Sequence, residues 1–277
     1  MTFFKKLFGF VRDVIKASEV DDLTPYAHQL TLSMILAFFP FVMFLFTLLG
    51  FLNIDSAPVL DALARVLPQS VYPAVAEIVV DVVDRQRSGL LSISAVLAIY
   101  AASGGFRAYM RSSNRMAGVV ESRHILLRYL LSIAWVVLFA VTLAVALLMV
   151  VFGNQLSGLI RQAWPQFDPD WLVAPLRLIL TAAFMVSIIT LFYMFGPAVR
   201  FRFLQALPGA VFTMMTWVGL TVAFQYYVDN IANYSRFYGT LGALIAFLIW
   251  LQLIATILLF GVEINAVLIA RRTGRSS

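Results

Sequence analysis

A single glutamate interrupts a long apolar run near the end of the chain, in LLFGVEINAV at residues 258–267. At about 100° per residue, a helix places Gln252, Thr256 and Glu263 on one face, which we call the polar stripe. Asn265 points in roughly the opposite direction. An amide, a hydroxyl and a carboxyl in this arrangement can bind a polar or charged group that lies along the helix.

A second set of polar side chains lies in AASGGFRAYMRSSNR, residues 101–115. Arg107, Arg111 and Asn114 recur at three- and four-residue spacing, so one face of a helix presents all three. One interpretation is a contact for an anionic lipid headgroup or another phosphate. The other is a helix end that its arginines hold at the membrane surface, as the positive-inside rule predicts without any ligand.

The composition indicates which elements must position these side chains. The chain has 277 residues, of which 62% are hydrophobic and 12% are charged, whereas soluble domains are about 45–50% apolar and about 25% charged. The apolar residues form runs of about 20, long enough to cross a hydrocarbon core of about 30 Å as helices. The sequence therefore predicts an all-α, polytopic membrane protein with a single membrane domain over residues 1–277.

Six transmembrane helices are predicted from these runs. Their approximate ranges are 30–52, 89–109, 129–152, 173–195, 207–228 and 240–263. Lysines and arginines concentrate in the segments that six spans would place on one side, and basic segments usually remain in the cytoplasm. Both termini are therefore predicted to be cytoplasmic.

The N-terminus and the first loop are predicted to contact the membrane surface. Residues 1–28 are predicted as a cytoplasmic amphipathic segment, typical of a helix on the bilayer; packing on the protein's own cytoplasmic loops is the alternative. Residues 53–88 are predicted as an outer loop, in which two apolar stripes separated by Pro68 predict two short amphipathic helices. Pro40 lies inside the first predicted span and is expected to kink that helix.

The position of Glu263 in the sequence has two interpretations. Ionisable residues inside membranes usually face a bundle interior or an aqueous cavity and often mark a pathway. Alternatively, a span that starts near Gly239 reaches the cytoplasmic interface after about 20 residues. Glu263 would then lie among the headgroups as a structural anchor, paired with one of the nearby arginines. Those arginines are Arg200, Arg202 and Arg271.

Several kinds of chemistry are not expected. The chain has no cysteine and two histidines, His28 and His124, which excludes thiolate sites and a histidine-rich metal centre. It has no glycine-rich loop followed by Lys-Ser or Lys-Thr for ATP. A metal-dependent nuclease needs clustered acids or histidines, but most predicted cytoplasmic acids lie in the N-terminal stretch. We expect no catalytic residue, no metal or other cofactor, and no nucleic-acid partner.

Three stretches resemble the YihY/BrkB family of bacterial inner-membrane proteins. They are SGGFRAYMRSSNR, the FGP to LPGAVFTMMTW segment at 195–217, and the segment that contains Tyr234, Tyr238, Trp250 and GVEIN. Their order and spacing match across nearly the whole chain, most specifically from Pro197 to Asn265. The resemblance implies a multi-pass protein of the bacterial inner membrane without an agreed activity. Members have been labelled a tRNA-processing ribonuclease, a serum-resistance factor, and a transporter or lipid exporter.

The residues and the resemblance together favour a transporter or lipid-handling protein for an anionic or amphipathic substrate. Glu263, Gln252 and Thr256 would line its pathway, and membrane lipids are the expected partners. The alternative is a non-catalytic scaffold for envelope integrity or serum resistance, with an oligomer or an envelope protein as partner. A translocator should fail when the polar stripe is changed, whereas a scaffold should fail when its surface loops are changed.

Overall fold

The computed structural model describes residues 2–51, 60, 76–77, 79–80, 88–139, 170–230 and 240–273. Regular structure in these residues is helical throughout, which confirms the all-α prediction for this part of the chain. The long helices are α1 (Thr2–Val20), α2 (Leu23–Phe51), α3 (Ser88–Met116), α4 (Ile125–Phe139), α5 (Asp170–Phe195), α6 (Phe203–Asn230) and α7 (Thr240–Thr273).

Three of these helices are long and apolar enough to cross a membrane. The candidate spans are Leu178–Phe195 in α5, Phe203–Phe224 in α6 and Leu244–Thr273 in α7, and α4 is a shorter apolar helix. Six spans remain a prediction. The helices of the first two predicted spans, α2 and α3, are not among these candidates, and the second half of the third predicted span lies outside the described residues. The predicted short helices of the outer loop at 53–88 also lie almost entirely outside them.

Several helices, α2 and α7 among them, extend beyond the predicted spans. α2 begins at Leu23 rather than at residue 30, and α7 continues to Thr273 rather than ending at 263. Hydropathy marks where a run stops being apolar, but helical hydrogen bonding continues through charged residues. The last turn of α7 carries Arg271 and Arg272, which suit the negative end of the helix dipole. Pro40 lies inside α2, and its predicted kink stays a prediction.

A tight turn joins α1 to α2. Backbone amides of Asp21 and Asp22 donate to the carbonyls of Ala17 and Glu19, at 2.9 and 3.3 Å, and so close the last turn of α1. Asp22 has a φ of 55°, in the left-handed region. Aspartate visits this region more readily than bulky residues do. The turn places the Asp21 and Asp22 carboxyls at the start of α2.

The chain divides into two compact units, and α7 contributes to both. The first unit comprises Met1–Thr24, Met110–Val218 and Ile257–Ser277. Within it, α1 packs on the second half of α7 through a cluster of Val14, Ile264 and Val267. Asp13 Oδ2 accepts a hydrogen bond from Arg271 Nε at 3.1 Å. This bond and the positive charge of Arg271 lower the pKa of Asp13.

Helices α5, α6 and α7 meet at two glycines in the first unit. A Cβ atom at Gly209 would overlap the Gly261 carbonyl oxygen, and one at Gly261 would overlap the hydroxyls of Tyr193 and Thr213. Close helix approach of this kind requires small residues. The Tyr193 and Thr213 hydroxyls lie 2.6 Å apart and hydrogen-bond to each other. The two glycines therefore let three helices form hydrogen bonds at one level.

The second unit comprises Pro25–Tyr109 and Gly219–Thr256. Here α2 packs on the first half of α7. The Thr31 hydroxyl donates to Gln252 Oε1 at 2.7 Å, and the Phe38 and Phe247 ring centroids lie 4.8 Å apart. One polar contact and one aromatic contact thus fix the register of these two helices.

Candidate functional site

Glu263 is a buried carboxyl on α7, with 1% of its surface exposed. Because α7 extends to Thr273, Glu263 lies within the candidate span Leu244–Thr273 and not at its end. Among the described residues, its Oε2 atom has no hydrogen-bond partner. Leaving a buried polar atom unsatisfied costs about 1–3 kcal/mol, and more for a charged group.

Asp21, in the turn between α1 and α2, lies close enough to Glu263 for the two carboxyls to interact electrostatically. Asp21 and Asp22 share one arginine, Arg115 at the end of α3. Arg115 Nε lies 3.7 Å from Asp21 Oδ1, and Arg115 Nη2 lies 3.5 Å from Asp22 Oδ2. The same guanidinium donates to the Val20 carbonyl at 3.0 Å. The hydrogen-bond donors of Arg115 therefore contact the turn between α1 and α2.

The balance of charge around Asp21 leaves an excess of negative groups. Burial raises the pKa of Asp21 above its ordinary value of 3.8. The nearby Arg115 guanidinium opposes this change, and the Asp22 carboxyl adds to it. A further carboxyl at Glu263 makes the surroundings suited to a hydrogen-bond donor or a cation and unsuited to a second anion.

The proposed anchor partners of Glu263 lie elsewhere. Arg271 pairs with Asp13, and the Arg200 and Arg202 side chains are exposed. In the part of the chain that the structure describes, no ion pair joins Glu263 to a lysine or an arginine. Glu263 therefore lacks the arginine partner that the anchor interpretation requires of it. It does lie close to the turn between α1 and α2, which is predicted to be cytoplasmic.

Gln252 and Thr256, the other two members of the polar stripe, belong to the second unit. Gln252 Oε1 accepts from the Thr31 hydroxyl, and the Thr256 hydroxyl donates to the Gln252 carbonyl at 2.8 Å. The Ala27 carbonyl lies 2.8 Å from the same Thr31 hydroxyl, so the single proton of that hydroxyl is shared between the two acceptors. These polar groups satisfy one another where α2 and α7 pack. The structure thus supplies them with structural partners that the sequence could not identify.

The three residues of the predicted headgroup contact occupy different surroundings. Arg111 is exposed. Arg107 is in the second unit, where its Nη1 donates to the Ser103 hydroxyl at 2.7 Å and its guanidinium lies over the Tyr100 ring. Asn114 is buried, with 4% exposed. The headgroup role itself stays a prediction for these residues.

Asn114 belongs to a hydrogen-bonded network that joins two loops of the first unit. Its Oδ1 accepts from the Ala198 amide at 2.6 Å, and its Nδ2 donates to Glu121 Oε2 at 2.9 Å. Arg123 Nε donates to Glu121 Oε1 at 2.8 Å, and Arg123 Nη2 donates to the Gly196 carbonyl at 3.0 Å. The network closes the end of α5 against the loop between α3 and α4.

Glu121 is the charged centre of this network. Burial alone would raise the pKa of Glu121, but hydrogen bonds and the charge of Arg123, with a hydrogen bond from Asn114, lower it below its ordinary value of 4.5. The sequence pattern assigned Asn114 to a headgroup contact and gave no indication of its pairing with Glu121. The signal available for the pairing of Glu121 with Arg123 was an acid two residues before an arginine, in ESR at 121–123.

Asn265 shows a second pairing that the sequence did not specify. Its Oδ1 accepts from the Gly209 amide at 2.8 Å, and its Nδ2 donates to the Ala206 carbonyl at 3.0 Å. The amide therefore joins α7 to the first turns of α6. As expected, it lies on a different face of α7 from Glu263. The described residues contain no group of three or more His, Cys, Asp or Glu side chains placed to hold a metal ion.

Apolar helices long enough to span a bilayer, packed through small residues and buried amides, define a helical membrane protein. The chain matches the model of the Virulence factor BrkB family over residues 14–277, and it belongs to that family.

Related proteins carry different names. The ribonuclease-like protein YfkH of Bacillus subtilis (strain 168) is 29% identical over 274 residues, which cover 95% of this chain and 96% of the relative. The UPF0761 membrane protein NMB0524 of Neisseria meningitidis serogroup B is 26% identical over 209 residues, 74% of this chain and 50% of the relative. This chain thus spans about half the length of that second relative. No solved structure matches this chain.

Proposed function

We propose that this protein binds and moves an amphipathic substrate, foremost a lipid, in the bacterial inner membrane with both termini in the cytoplasm. The observation that carries the proposal is Glu263. Its carboxyl is buried inside a candidate span, and its Oε2 meets no hydrogen-bond donor among the described residues. Ionisable groups at such places are costly and usually serve a substrate or ion.

The other residues of the predicted site differ in whether their polar groups are available to a substrate. Arg111 is exposed and can meet an anionic headgroup, and Arg107 remains a candidate for the same role. Asn114, Gln252 and Thr256 use their polar groups inside the protein. The proposal therefore assigns substrate binding to Glu263 and treats these three residues as supports of the helices.

The proposed role is not enzymatic and requires no cofactor. The name ribonuclease-like describes the B. subtilis relative, and a name does not transfer chemistry without a site. In this chain, the predicted cytoplasmic acids with ion pairs in the described residues are bound to arginines. Asp13 pairs with Arg271, Glu121 pairs with Arg123, and Asp21 and Asp22 share Arg115. These acids support the fold of the first unit.

Lipid movement by the reconstituted full chain tests the proposal. Vesicles would carry a fluorescent phospholipid, and its movement between leaflets would be followed by chemical quenching of the outer leaflet. We expect the wild type to accelerate this movement and Glu263→Gln to slow it about tenfold, equivalent to about 1.4 kcal/mol in the barrier. Glu19→Gln is the matched control, because Glu19 is exposed on α1. Wild-type protein that is folded but moves no lipid would contradict the proposal.

A second candidate is a non-catalytic membrane scaffold. It is favoured by the internal hydrogen bonds of Asn114 and Gln252, two residues that the sequence assigned to ligand binding. A scaffold should retain its cellular phenotype in Glu263→Gln. Loss of that phenotype with normal protein levels would count against the scaffold.

A further inference from the structure

The surroundings of Glu263 contain more carboxyls than the nearby arginine can balance. Asp21 interacts electrostatically with Asp22 and with Glu263. Arg115 is shared between the two aspartates, and it also donates to the backbone carbonyls of Val20 and Asp21. Its donors are thus directed at the turn between α1 and α2. Glu263 is left with a buried oxygen that accepts no hydrogen bond from the described residues.

An ionised carboxylate only accepts hydrogen bonds, so the partner of an ionised Glu263 would be a donor, and a cationic donor is favoured. An anion at Glu263 would be repelled by this carboxyl and by Asp21. A calcium ion takes six to eight oxygen ligands, yet the described residues hold no group of three acids or histidines placed for a metal. An ammonium group is compact, carries three donors and can be bound through a single carboxylate.

We propose that Glu263 binds the ammonium group of an amphipathic substrate, such as the headgroup of an aminophospholipid. This inference rests on the proposed function and specifies the chemistry of its substrate. A lipid source is favoured over a soluble amine because Glu263 lies in an apolar helix of membrane-spanning length. A charge-assisted hydrogen bond contributes enough free energy for a selectivity of about tenfold or more.

Native mass spectrometry of the purified full chain tests this inference. The protein would be offered equimolar phosphatidylethanolamine and phosphatidylglycerol with identical acyl chains. We expect the wild type to retain the ethanolamine lipid about tenfold more than the glycerol lipid. Glu263→Gln should retain both about equally, and Glu19→Gln, an exposed control, should keep the wild-type preference. A parallel sample with free ethanolamine as competitor identifies the source of the amine.

The possible results distinguish a failure of the ammonium site from a failure of the proposed function. Equal retention of the two lipids by the wild type would overturn the ammonium site and leave a lipid-handling role standing. Failure to retain or move any lipid would contradict the proposed function itself. Displacement by free ethanolamine would support the ammonium site and assign it to a soluble amine. The comparison of lipids on the wild type needs no variant, so the inference stays testable if Glu263→Gln does not fold.

Discussion

At the scale of single residues, two polar side chains on the same helix are used in opposite ways. Asn265 is fully buried, and its amide finds both a donor and an acceptor on α6. Glu263, only two residues earlier, is as deeply buried, but its Oε2 has no partner in the described residues. A neutral amide with two complementary partners stabilises helix packing, whereas a buried carboxyl oxygen without a partner destabilises it. The first residue supports structure, and the second is the residue that we propose for substrate binding.

Gly261 provides a residue-scale test of the packing. In Gly261→Ala the added Cβ would overlap the hydroxyls of Tyr193 and Thr213, so the three helices must move apart. Overpacking of this kind costs about 1–3 kcal/mol. We expect a lower thermal unfolding temperature in detergent, measured by intrinsic tryptophan fluorescence.

Gly219→Ala is the matched control for that substitution. Gly219 lies in α6, and a Cβ there would meet no atom within 4 Å. Alanine has the better helix propensity by about 1 kcal/mol, so this variant should be as stable as the wild type or more stable. Equal losses in the two variants would refute close packing at Gly261.

Glu121 makes stability depend on pH. Its folded pKa lies below the ordinary value of 4.5, so the unfolded chain takes up its proton first as the pH falls. The stabilisation is complete above about pH 5 and disappears as the pH falls through the folded pKa. Glu121→Gln should therefore lose about 1 kcal/mol at pH 7, and this loss should shrink as the pH falls through the folded pKa of Glu121.

Unfolding curves of both proteins at several pH values measure this difference. Glu19→Gln removes an exposed carboxyl and should show no such trend. A loss in Glu121→Gln that stayed constant across the range would mean that shape, and not charge, holds the two loops together.

At the scale of elements, α1 divides into three sectors. One sector packs on α7 through Val14, and another carries most of the charged side chains. The third sector is apolar and exposed, and its members are Leu7, Phe8, Val11 and Ile15. The sequence offered packing on the protein and contact with the membrane as alternatives for this segment. The face of α1 that packs on α7 and the exposed apolar face are different, so the helix can contact the protein and the membrane at the same time.

We predict that the exposed apolar sector of α1 enters the membrane interface. The chain has no cysteine, so a spin label on Val11→Cys is a unique probe. A label on Lys16→Cys, about 140° around the helix, is its control. The Val11 label should collide more with oxygen, which is enriched in lipid, and the Lys16 label with a water-soluble nickel complex. Identical accessibility of the two labels would refute the interfacial orientation.

At the scale of the whole molecule, charge distinguishes the two predicted sides of the membrane. In the described residues, ion pairs such as Arg271 with Asp13 and Arg123 with Glu121 lie in segments predicted to be cytoplasmic. The net charge of +6 is concentrated on the same predicted side. These pairs neutralise part of the basic surface, and the remaining arginines can attract anionic headgroups.

The predicted topology can be tested with two further single cysteines. Ser276→Cys lies at the predicted cytoplasmic C-terminus, and Ser56→Cys lies in the predicted outer loop. In intact cells whose outer barrier is permeabilised, a membrane-impermeant maleimide should label Ser56→Cys and spare Ser276→Cys. Permeabilising the inner membrane should expose both. Labelling of the C-terminal cysteine in sealed cells would exclude six spans with both termini inside.

The sequence by itself determined the features that depend on local pattern. Apolar runs predicted helices, and the helices α2, α3, α5, α6 and α7 contain or overlap the corresponding predicted spans. The helical repeat also separated Glu263 from Asn265. It could not mark the true ends of α2 and α7, because polar or charged residues end an apolar run without ending a helix.

Tertiary structure decided what each polar side chain contacts. Asn114 meets Ala198, 84 residues away, and Asn265 meets Gly209, 56 residues away. Periodicity fixes the direction of a side chain around its own helix, but its partner depends on which helices pack together and at what distance. The packing that satisfied these two amides left Oε2 of Glu263 without a partner in the described residues. A missing partner of this kind is a property of three-dimensional packing, which helical periodicity does not encode.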